Sequence, residues 1–393
     1  MTQNRRSVSM WRVVIGGSIL DRPRSRKSKK SVTKMETHVK INAGFILLAL
    51  TGGVCVCAMA PGTARAENDQ PLRENWSPSV WGADDKVGSV NHTTPAMVLG
   101  AAKLIKQGKV ATLGKVYQQD APAFGSRGWR LIIPGLPTGG PFGEQEIVYN
   151  DEYLATEIGQ IGTQFDGPGH VGVRTSKGHF YYNGRYLEDS DITSYGMGPL
   201  GVEHIAKVGF VCRGVLLDAV AYRGGRLPVP TENSADDPGI INAEDVAAMV
   251  QKQGIDPIAE GDCVFLYTGH GDIWHPSNWD TYDAVEKQKR IAEFNAGTPG
   301  FGLSACEYLA SRKIILWGGD NHATEAVGKN GGGETSQPFE CHIKMMTRSG
   351  IWNIENLDLS QLVADKAYEF FFAWSPLKIK GGTGSPGNPV AIY

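Results

Sequence analysis

The sequence predicts a single α/β domain with a mixed β core, flanked by helices and by long loops that cover a site. Two observations predict this fold class: capped helix patterns alternate with short apolar strand patterns in the second half of the chain, and no stretch resembles a linker or an internal repeat. Residues 67–393 are enough for one large hydrophobic core. We therefore expect one domain rather than two.

The first 66 residues differ from the rest and are predicted to be a leader with a cleavable secretory signal. They carry 12 basic and two acidic residues, and an apolar run over residues 43–60 follows the last lysine of this region. Ala64-Arg65-Ala66 then has the form of a cleavage site before Glu67. Glycines interrupt the run, which falls short of the ~20 apolar residues of a membrane span. A single membrane anchor is the alternative, but we expect a periplasmic or secreted domain.

The predicted mature part, residues 67–393, is acidic. It has 27 basic and 39 acidic side chains, a net charge of −12. An acidic domain without basic runs argues against nucleic acid and anionic membrane as partners. A small-molecule substrate is the expected partner, with no stable membrane association after the signal is cleaved.

Three segments carry the start and stop signals of helices. Thr94-Pro95 opens a run with one apolar face that ends at Gly108, and residues 242–254 repeat this pattern from an asparagine to a glycine. Ser304-Ala-Cys-Glu307 has the form of a capping box in front of a third helix. These helices provide the α part of the predicted fold.

Apolar strand patterns lie close to these helices in the sequence. They cover residues 211–221, Cys263–Tyr267 and residues 314–317. Glycine, proline and aromatic residues without periodicity fill three further segments, which we predict to be long loops, the first of them over a site. These segments are residues 118–150, 223–240 and 271–300.

Four cysteines remain in the predicted mature part: Cys212, Cys263, Cys306 and Cys341. They form no CxxC pair, which makes a cysteine metal site improbable. Because they lie mostly in apolar stretches, we expect buried free thiols. An oxidising compartment permits disulfides, but the sequence does not show one.

One short segment, residues 159–172, concentrates polar side chains among glycines. Gln160, Gln164, Asp166 and His170 follow at spacings of four, two and four. If the run is extended, even spacing places all four on one side of it. Oxygen and imidazole donors on one face suit Zn²⁺ or Mn²⁺. The exposed face of an ordinary strand shows the same pattern, so this segment alone leaves both interpretations open.

A second cluster follows far along the chain. Glu355 lies among apolar residues, where a carboxylate is costly unless it is paired or bound to a metal. His342 precedes it in the segment Glu340-Cys-His342. A salt bridge for the glutamate, and a helix-lining position for the histidine, are the alternatives to metal ligation.

Together these segments resemble the cyclase, or kynurenine formamidase-like, family of hydrolases. The family's signature H-x-G-T-H-x-D-x-P-x-H stands here as Gln160-Ile-Gly-Thr-Gln164-Phe-Asp166-Gly-Pro-Gly-His170. Other matches follow in the family's order, at residues 214–218, 261–269, 319–321, 342, 354–357 and 376–386. The resemblance covers roughly residues 78–393 and implies a swivelling β/β/α-like core.

The resemblance also implies the composition of the site. Position by position, it gives Gln160, Gln164, Asp166, His342 and Glu355 as metal ligands. Both early histidines of the signature are glutamines here, and glutamine is a neutral and weaker donor. This feature is more typical of the family's longer, dienelactone-hydrolase-like members. We therefore expect one divalent metal, Zn or Mn, and leave open which glutamine faces it.

The implied activity is the hydrolysis of a small, cyclic or aromatic, amide or lactone by a metal-activated water. His170 resembles the family's proton-transferring, catalytic residue, with a fifth ligand or a structural histidine as alternatives. Candidate substrate contacts, each with a plain loop or structural role as the alternative, are Tyr181, Tyr182, His270, Asp320 and His322. Family members are often dimers or tetramers, so we expect a homo-oligomer.

Two other functions remain open at this point. A periplasmic small-molecule binding protein on a hydrolase fold would explain the glutamines, although the other candidate ligands are present. A metal-dependent cyclase or lyase would use the same residues. Only hydrolysis consumes water, so the products distinguish it from the cyclase or lyase reaction.

Overall fold

The computed structural model describes residues 76–393. The predicted leader and signal peptide lie outside these described residues. The strands are β1 Val110–Thr112, β2 Trp129–Ile132, β3 Gly139–Phe142, β4 Ile147–Tyr149, β5 Tyr153–Thr156, β6 Gln164–Asp166, β7 Val173–Thr175, β8 Gly178–Phe180, β9 Phe210–Asp218, β10 Ile240–Ile241, β11 Cys263–Tyr267, β12 Gly300–Phe301, β13 Leu316–Gly319, β14 Trp352–Glu355, β15 Glu369–Trp374, β16 Gly384–Pro386 and β17 Val390–Ile392. The α-helices are α1 Pro95–Ala102, α2 Ala219–Arg223, α3 Ala243–Gln253, α4 Pro276–Trp279, α5 Ala284–Phe294, α6 Leu303–Ser311, α7 Glu340–His342 and α8 Ser360–Ala364. Short 3₁₀ turns span Gly88–His92, Tyr182–Gly184, Gly198–Leu200, Ile205–Lys207 and His270–Trp274, and a π-helical turn spans Ile343–Arg348.

A nine-stranded sheet organises the fold, in the order β1-β17-β15-β9-β11-β13-β14-β6-β16. Its centre, β9-β11-β13-β14, is parallel, whereas the strands on both sides of this centre pair antiparallel. The parallel centre requires helical crossovers, which explains the alternation of helix and strand patterns in the sequence. The predicted α/β class with a mixed β core is confirmed.

Both faces of the sheet are buried. On β11, Val264 and Leu266 share a cluster with Met249 of α3, whereas Phe265 packs on the opposite face against Phe372 of β15. Successive residues of a strand point to opposite faces, so a strand buried on both sides consists of apolar residues throughout. Burying a side chain of this size contributes about 1.5–3 kcal/mol. The sheet is therefore the rigid frame from which the site is built.

The helix predictions meet three different outcomes. Thr94 caps α1 as predicted, but the helix ends at Ala102 because the next backbone N–H groups donate to carbonyls three residues back. The α3 helix follows its prediction, with a capping box at Asn242 and a left-handed Gly254 (φ 66°) at its end. The capping box predicted at Ser304 is wrong: Gly302 is the N-cap of α6, and the Ser304 hydroxyl donates to Glu334 instead.

Two predicted loops contain regular structure. Residues 118–150 include β2, β3 and β4, and β2 pairs with β5 while β3 pairs with β4. Residues 271–300 include α4 and α5, the latter capped by Asp283. Strand periodicity is missing from the first segment because its strands lack a buried and an exposed face. In the described part of the chain, no helix is long and apolar enough to cross a membrane.

The cysteines form two disulfides, so the prediction of buried free thiols is wrong. Cys212 on β9 bonds Cys263 on the neighbouring strand β11. Cys306 on α6 bonds Cys341 on α7. The partners are separated by 51 and 35 residues, and only the tertiary fold brings such distant positions to bonding distance.

Candidate metal centre and cavity

The site is built on two antiparallel neighbours at one side of the sheet, β6 and β14. Their register places Gln164 opposite Glu355 and Asp166 opposite Asn353. Because alternate residues of a strand share a face, these four polar side chains lie on the same face. Of the four polar residues of the signature segment, only Gln164 and Asp166 belong to a strand, so the condition of a continuous extended run is not met. The other two polar residues of the segment come from turns before and after β6.

Three potential ligands converge at this position. One ligand atom from each of Asp166, His342 and Glu355 lies within 4.8 Å of the other two, and all three residues are buried. The His342 Nε2 atom lies 3.5 Å from Glu355 Oε1. His342 ends the short helix α7 and is followed at once by the π-helical turn, a feature frequent at functional sites. The structure thus brings together residues more than 170 positions apart in the sequence.

A third carboxylate fixes the orientation of the histidine. His342 Nδ1 donates to Glu325 Oε1 over 2.5 Å, and the other Glu325 oxygen accepts from the backbone N–H of Cys341 at 2.8 Å. The imidazole therefore turns its Nε2 toward the carboxylate of Glu355 and the side of the site that Asp166 occupies. A carboxylate bonded to the far nitrogen is typical of metal-binding histidines. The sequence did not predict a role for Glu325. The only signal there is that Glu325 is the one acidic residue of segment 321–328.

Amide side chains surround the carboxylates of Asp166 and Glu355. Gln160 Nε2 donates to Asp166 Oδ1 at 3.0 Å, and Gln164 Nε2 donates to Glu355 Oε2 at 2.9 Å. Asn353, which was not predicted, donates to Glu355 Oε1 at 2.6 Å. Both glutamines thus present N–H groups to the carboxylates in this geometry. Ligation by either glutamine needs a turned amide and stays a prediction.

The centre has a surplus of buried negative charge. Three carboxylates, those of Asp166, Glu325 and Glu355, surround the single imidazole of His342. Burial and the neighbouring Asp166 raise the pKa of Glu355 to about 8. Burial alone would lower the pKa of His342, but Glu325 and Glu355 outweigh it and raise this pKa to about 10. Two oxygen donors, one nitrogen donor and uncompensated negative charge fit a divalent cation.

His170 lies beside this centre and is the more accessible group. Its Nε2 is 3.7 Å from Asp166 Oδ1, and its side chain is 24% exposed, whereas Asp166 is buried. Burial lowers the pKa of His170, although Asp166 acts in the opposite direction. The neutral imidazole is able to accept a proton from a molecule in the cavity.

A cavity of about 330 Å³ opens onto the centre. Its floor holds the three converging ligands, both glutamines and His170, and its walls are largely apolar. Phe124 stacks on His322 with ring centres 5.3 Å apart, and the Arg127 guanidinium lies 5.5 Å from the same phenylalanine ring. The other apolar wall residues include Ile161, Val171, Phe294, Phe339 and Ile343. This volume is at the small end of ligand pockets.

Of the predicted substrate contacts, only His322 lines this cavity. Its Nδ1 is buried and has no hydrogen-bond partner among the described residues. A free, buried ring nitrogen at a cavity wall is able to bond a polar group of a ligand. The sequence did not indicate Arg127, which is one of several arginines in the chain.

The other four predicted contacts lie outside the cavity lining. Tyr182 packs edge-on against Trp352, and Tyr181 neighbours it in the chain. His270 donates to the Phe294 carbonyl and borders a different cavity. Asp320 is fully enclosed and accepts from backbone and hydroxyl groups. These four residues lie in turns or just after strands, which are common positions for residues of a functional site. Tertiary packing nevertheless places them outside the cavity lining.

Comparisons with known proteins agree with this architecture. The Cyclase family model, described as "Putative cyclase", matches residues 72–326. The isatin hydrolase of Roseibium aggregatum is 31% identical over 163 residues, which span 41% of this chain and 55% of that protein. A crystal structure described as a novel cyclase superposes with a TM-score of 0.64 and 28% identity, covering 80% of this chain and 96% of the other. The family model covers well over half of the sequence, and this chain belongs to the cyclase family.

Proposed function

We propose that this chain is a metal-dependent hydrolase that opens a small cyclic amide or lactone. One observation carries the proposal: Asp166, His342 and Glu355 converge in a buried, negatively charged centre at the floor of an apolar cavity. The similarity to isatin hydrolase, over part of each chain, supports a cyclic amide as substrate.

One divalent ion, Zn or Mn, is the proposed cofactor, held by Asp166, His342 and Glu355. Such an ion lowers the pKa of a bound water and polarises a carbonyl group. Glu325 holds the His342 ring with Nε2 toward Glu355, and the amides of Gln164 and Asn353 hold the Glu355 carboxylate in place. The donors are therefore positioned before the ion arrives.

His170 is the proposed proton-transfer group. Its Nε2 accepts a proton from the attacking water and returns it to the nitrogen or oxygen that leaves the carbonyl carbon. Asp166, 3.7 Å away, stabilises the imidazolium between these two steps. One water is consumed, one C–N or C–O bond breaks, and the products are a carboxylate with a free amine or alcohol.

The cavity walls suggest how the substrate is oriented. Phe124 and Phe294 flank His322 and provide flat apolar surfaces for a ring. The free Nδ1 of His322 offers a hydrogen bond to a polar substituent of that ring. Arg127 supplies a positive charge at the same wall, where it is able to attract the carboxylate that ring opening creates.

We further propose that the enzyme works in the periplasm or outside the cell. Two buried disulfides support an oxidising compartment, as does the signal peptide predicted for residues 1–66.

The test is elemental analysis of the purified protein beside His342→Ala and Glu355→Ala. We expect about one Zn or Mn per chain in the wild type, and loss of metal in both variants, because each removes one of three converging ligands. Asp320→Asn is the matched control, since it neutralises a buried carboxylate outside the cavity. A folded wild type that takes up neither ion would contradict the proposal and favour a small-molecule binding protein.

Turnover then defines the reaction. Cyclic amides and lactones are incubated with the metal-loaded enzyme and with the two metal-site variants, and the products are identified by mass. Addition of one water to the substrate identifies hydrolysis. A product formed without water would favour the cyclase or lyase alternative.

A further inference from the structure

One of the three converging ligands is held differently from the other two. Asp166 and Glu355 lie on β6 and β14, which pair with each other within the nine-stranded sheet. His342 instead ends α7, a helix of three residues that continues only as a π-helical turn. A helical segment this short gains little stability from its own hydrogen bonds. The position of this histidine therefore depends on what attaches α7 to the rest of the fold.

The segment that leads into α7 has no regular structure. Residues 328–339 contain four glycines and no helix or strand. Phe339, the residue before the helix, has a left-handed backbone (φ 57°), which is unfavourable for a large side chain, and its side chain does not cap the helix. Because glycine loses more conformational freedom than other residues when it is ordered, ordering this segment is costly. The helix thus needs an attachment of its own.

A disulfide supplies this attachment. Cys341, the middle residue of α7, is bonded to Cys306 of α6, and both cysteines are buried. The crosslink therefore ends one residue before the ligand His342. The backbone N–H of Cys341 also donates to Glu325, whose other carboxylate oxygen accepts from the His342 ring. A displacement of Cys341 would thus disturb both of these hydrogen bonds and the orientation of the imidazole.

The other end of the crosslink lies on a well-packed helix. Ala305 and Leu309 of α6 belong to the same buried apolar cluster as the sheet residues of that face. Glu334, from the segment before α7, accepts from the N–H and the hydroxyl of Ser304 at 2.8 and 3.0 Å. The segment is therefore joined to α6 twice, once by hydrogen bonds and once by the disulfide. Of these two links, the disulfide is the one beside the ligand.

The second disulfide of the chain differs in what it holds. Cys212 and Cys263 join β9 and β11, which the sheet already pairs, with Cys263 opposite Gly214. Neither cysteine adjoins a ligand in the sequence, and neither lines the cavity. Both disulfides are buried, and their partners are separated by similar distances in the sequence, 51 and 35 residues. One crosslink thus adjoins a ligand, whereas the other repeats a constraint that the sheet already imposes.

We propose, building on the metal centre proposed above, that the Cys306–Cys341 disulfide is a positioning element for His342 and that the site binds its ion tightly only while this disulfide is intact. Without the crosslink, α7 gains conformational freedom that the ion must remove again on binding, and affinity falls. A dithiol that reduces the bond supplies two electrons and two protons: one S–S bond becomes two thiols, and the dithiol becomes a disulfide. Metal occupancy is thereby linked to the redox state of the surroundings.

The test compares the dissociation constants for Zn²⁺ and Mn²⁺ of two double variants of the full chain, measured by competition with a chelator. Cys306→Ala with Cys341→Ala should raise these constants about 10- to 100-fold, the range typical of losing the support of a metal ligand. Cys212→Ala with Cys263→Ala is the matched control, because it removes the same number of buried sulfur atoms. It should change the constants by no more than about twofold, as expected for sites without shared partners.

The control variant also permits a second measurement, which does not depend on the folding of the first variant. Among the described residues it keeps only the Cys306–Cys341 disulfide, which a phosphine reduces to two thiols while water supplies the oxygen that the phosphine takes up. The reduced form should bind Mn²⁺, which thiols ligate poorly, about 10- to 100-fold more weakly than the oxidised form. In metal-free protein, hydrogen exchange of residues 340–348 should be faster after reduction. Alkylation and mass analysis verify the redox state.

Two results would overturn this proposal and leave the metal centre itself intact. The first is an unchanged affinity, both in the variant without Cys306 and Cys341 and on reduction. The second is an equal loss of affinity in both double variants, because the loss would then reflect general destabilisation and not the position of His342. A wild type that takes up neither ion would overturn the proposed function and this proposal together. Circular dichroism verifies that the variants fold.

Discussion

This fold contains two clusters of buried charge, and they differ in how their charges are balanced. The ligand cluster comprises Asp166, His342 and Glu355 with Glu325. The lysine cluster comprises Lys115 and Asp320, which are joined through the backbone of a single residue. Lys115 Nζ donates to the Gly271 carbonyl at 2.6 Å, and Asp320 accepts from the N–H of the same glycine at 3.1 Å.

In the lysine cluster, the positive charge of Lys115 and the negative charge of Asp320 balance each other. Lys115 also donates to the Trp274 carbonyl at 2.9 Å, and Asp320 also accepts from the N–H and hydroxyl groups of Thr268. Burial lowers the pKa of Lys115 to about 8, although nearby Asp320 acts to raise it. One base and one acid, each with hydrogen-bond partners, hold the loop after β11. This arrangement is structural.

The ligand cluster does not compensate itself, because it holds three carboxylates and one imidazole. Buried charge without a counter-charge is unfavourable, so this cluster is a candidate site for a bound cation. The comparison teaches that buried charge as such does not reveal function. A buried negative charge that no counter-charge balances is the better indicator of a functional site. Three variants test this difference between the two clusters.

The largest expected effect is in the lysine cluster. Lys115→Met should lower the free energy of unfolding by about 2–4 kcal/mol, because two buried carbonyls lose their donor. Chemical denaturation measures it. Lys103→Met, at an exposed position on the first helix's C-cap, is the control and should change stability by less than about 0.5 kcal/mol. An unchanged stability of Lys115→Met would show that this cluster is not structural.

The second-largest expected effect concerns Glu325, which supports His342 in the ligand cluster. Glu325→Gln should weaken metal binding about 10- to 100-fold, because a neutral amide holds the His342 ring less firmly and makes it a poorer ligand. Competition with a chelator of known affinity measures the dissociation constant. Glu260→Gln is the control, since this exposed carboxylate also pairs with a histidine, His92, but far from the site. Equal affinities of wild type and Glu325→Gln would assign Glu325 a purely structural role.

The smallest effect has the opposite sign to the first. In metal-free protein at a pH above the raised pKa of Glu355, about 8, Glu355→Gln should raise the free energy of unfolding by about 1 kcal/mol, because it removes part of the surplus negative charge with little change in side-chain shape. Thermal unfolding with and without Zn²⁺ measures it, and the variant should lose the stabilisation by metal that the wild type gains. A lower metal-free stability than the wild type would mean that the cluster has no charge surplus.

The sequence by itself determined the parts of this protein that depend on neighbouring residues. The cap of α1, the capping box and glycine stop of α3, and the buried strands β9 and β11 follow from local preferences that the fold did not override. The signature segment, the distal histidine and the distal glutamate were also visible, because residue types and their order are properties of the chain. Asp166, His342 and Glu355, whose side chains converge in the structure, were among the residues named from it.

The tertiary structure alone decided which distant groups meet. The two disulfides, the Glu325–His342 contact and the place of Asn353 opposite Asp166 depend on strand order and register, which no local pattern encodes. The same holds for Tyr182 and Asp320. Their positions near the signature and at a strand end predicted that they line the cavity, but tertiary packing places them outside it. The physical reason is that a side chain's neighbours across the fold, and not those along the chain, set its burial, its hydrogen bonds and its charge.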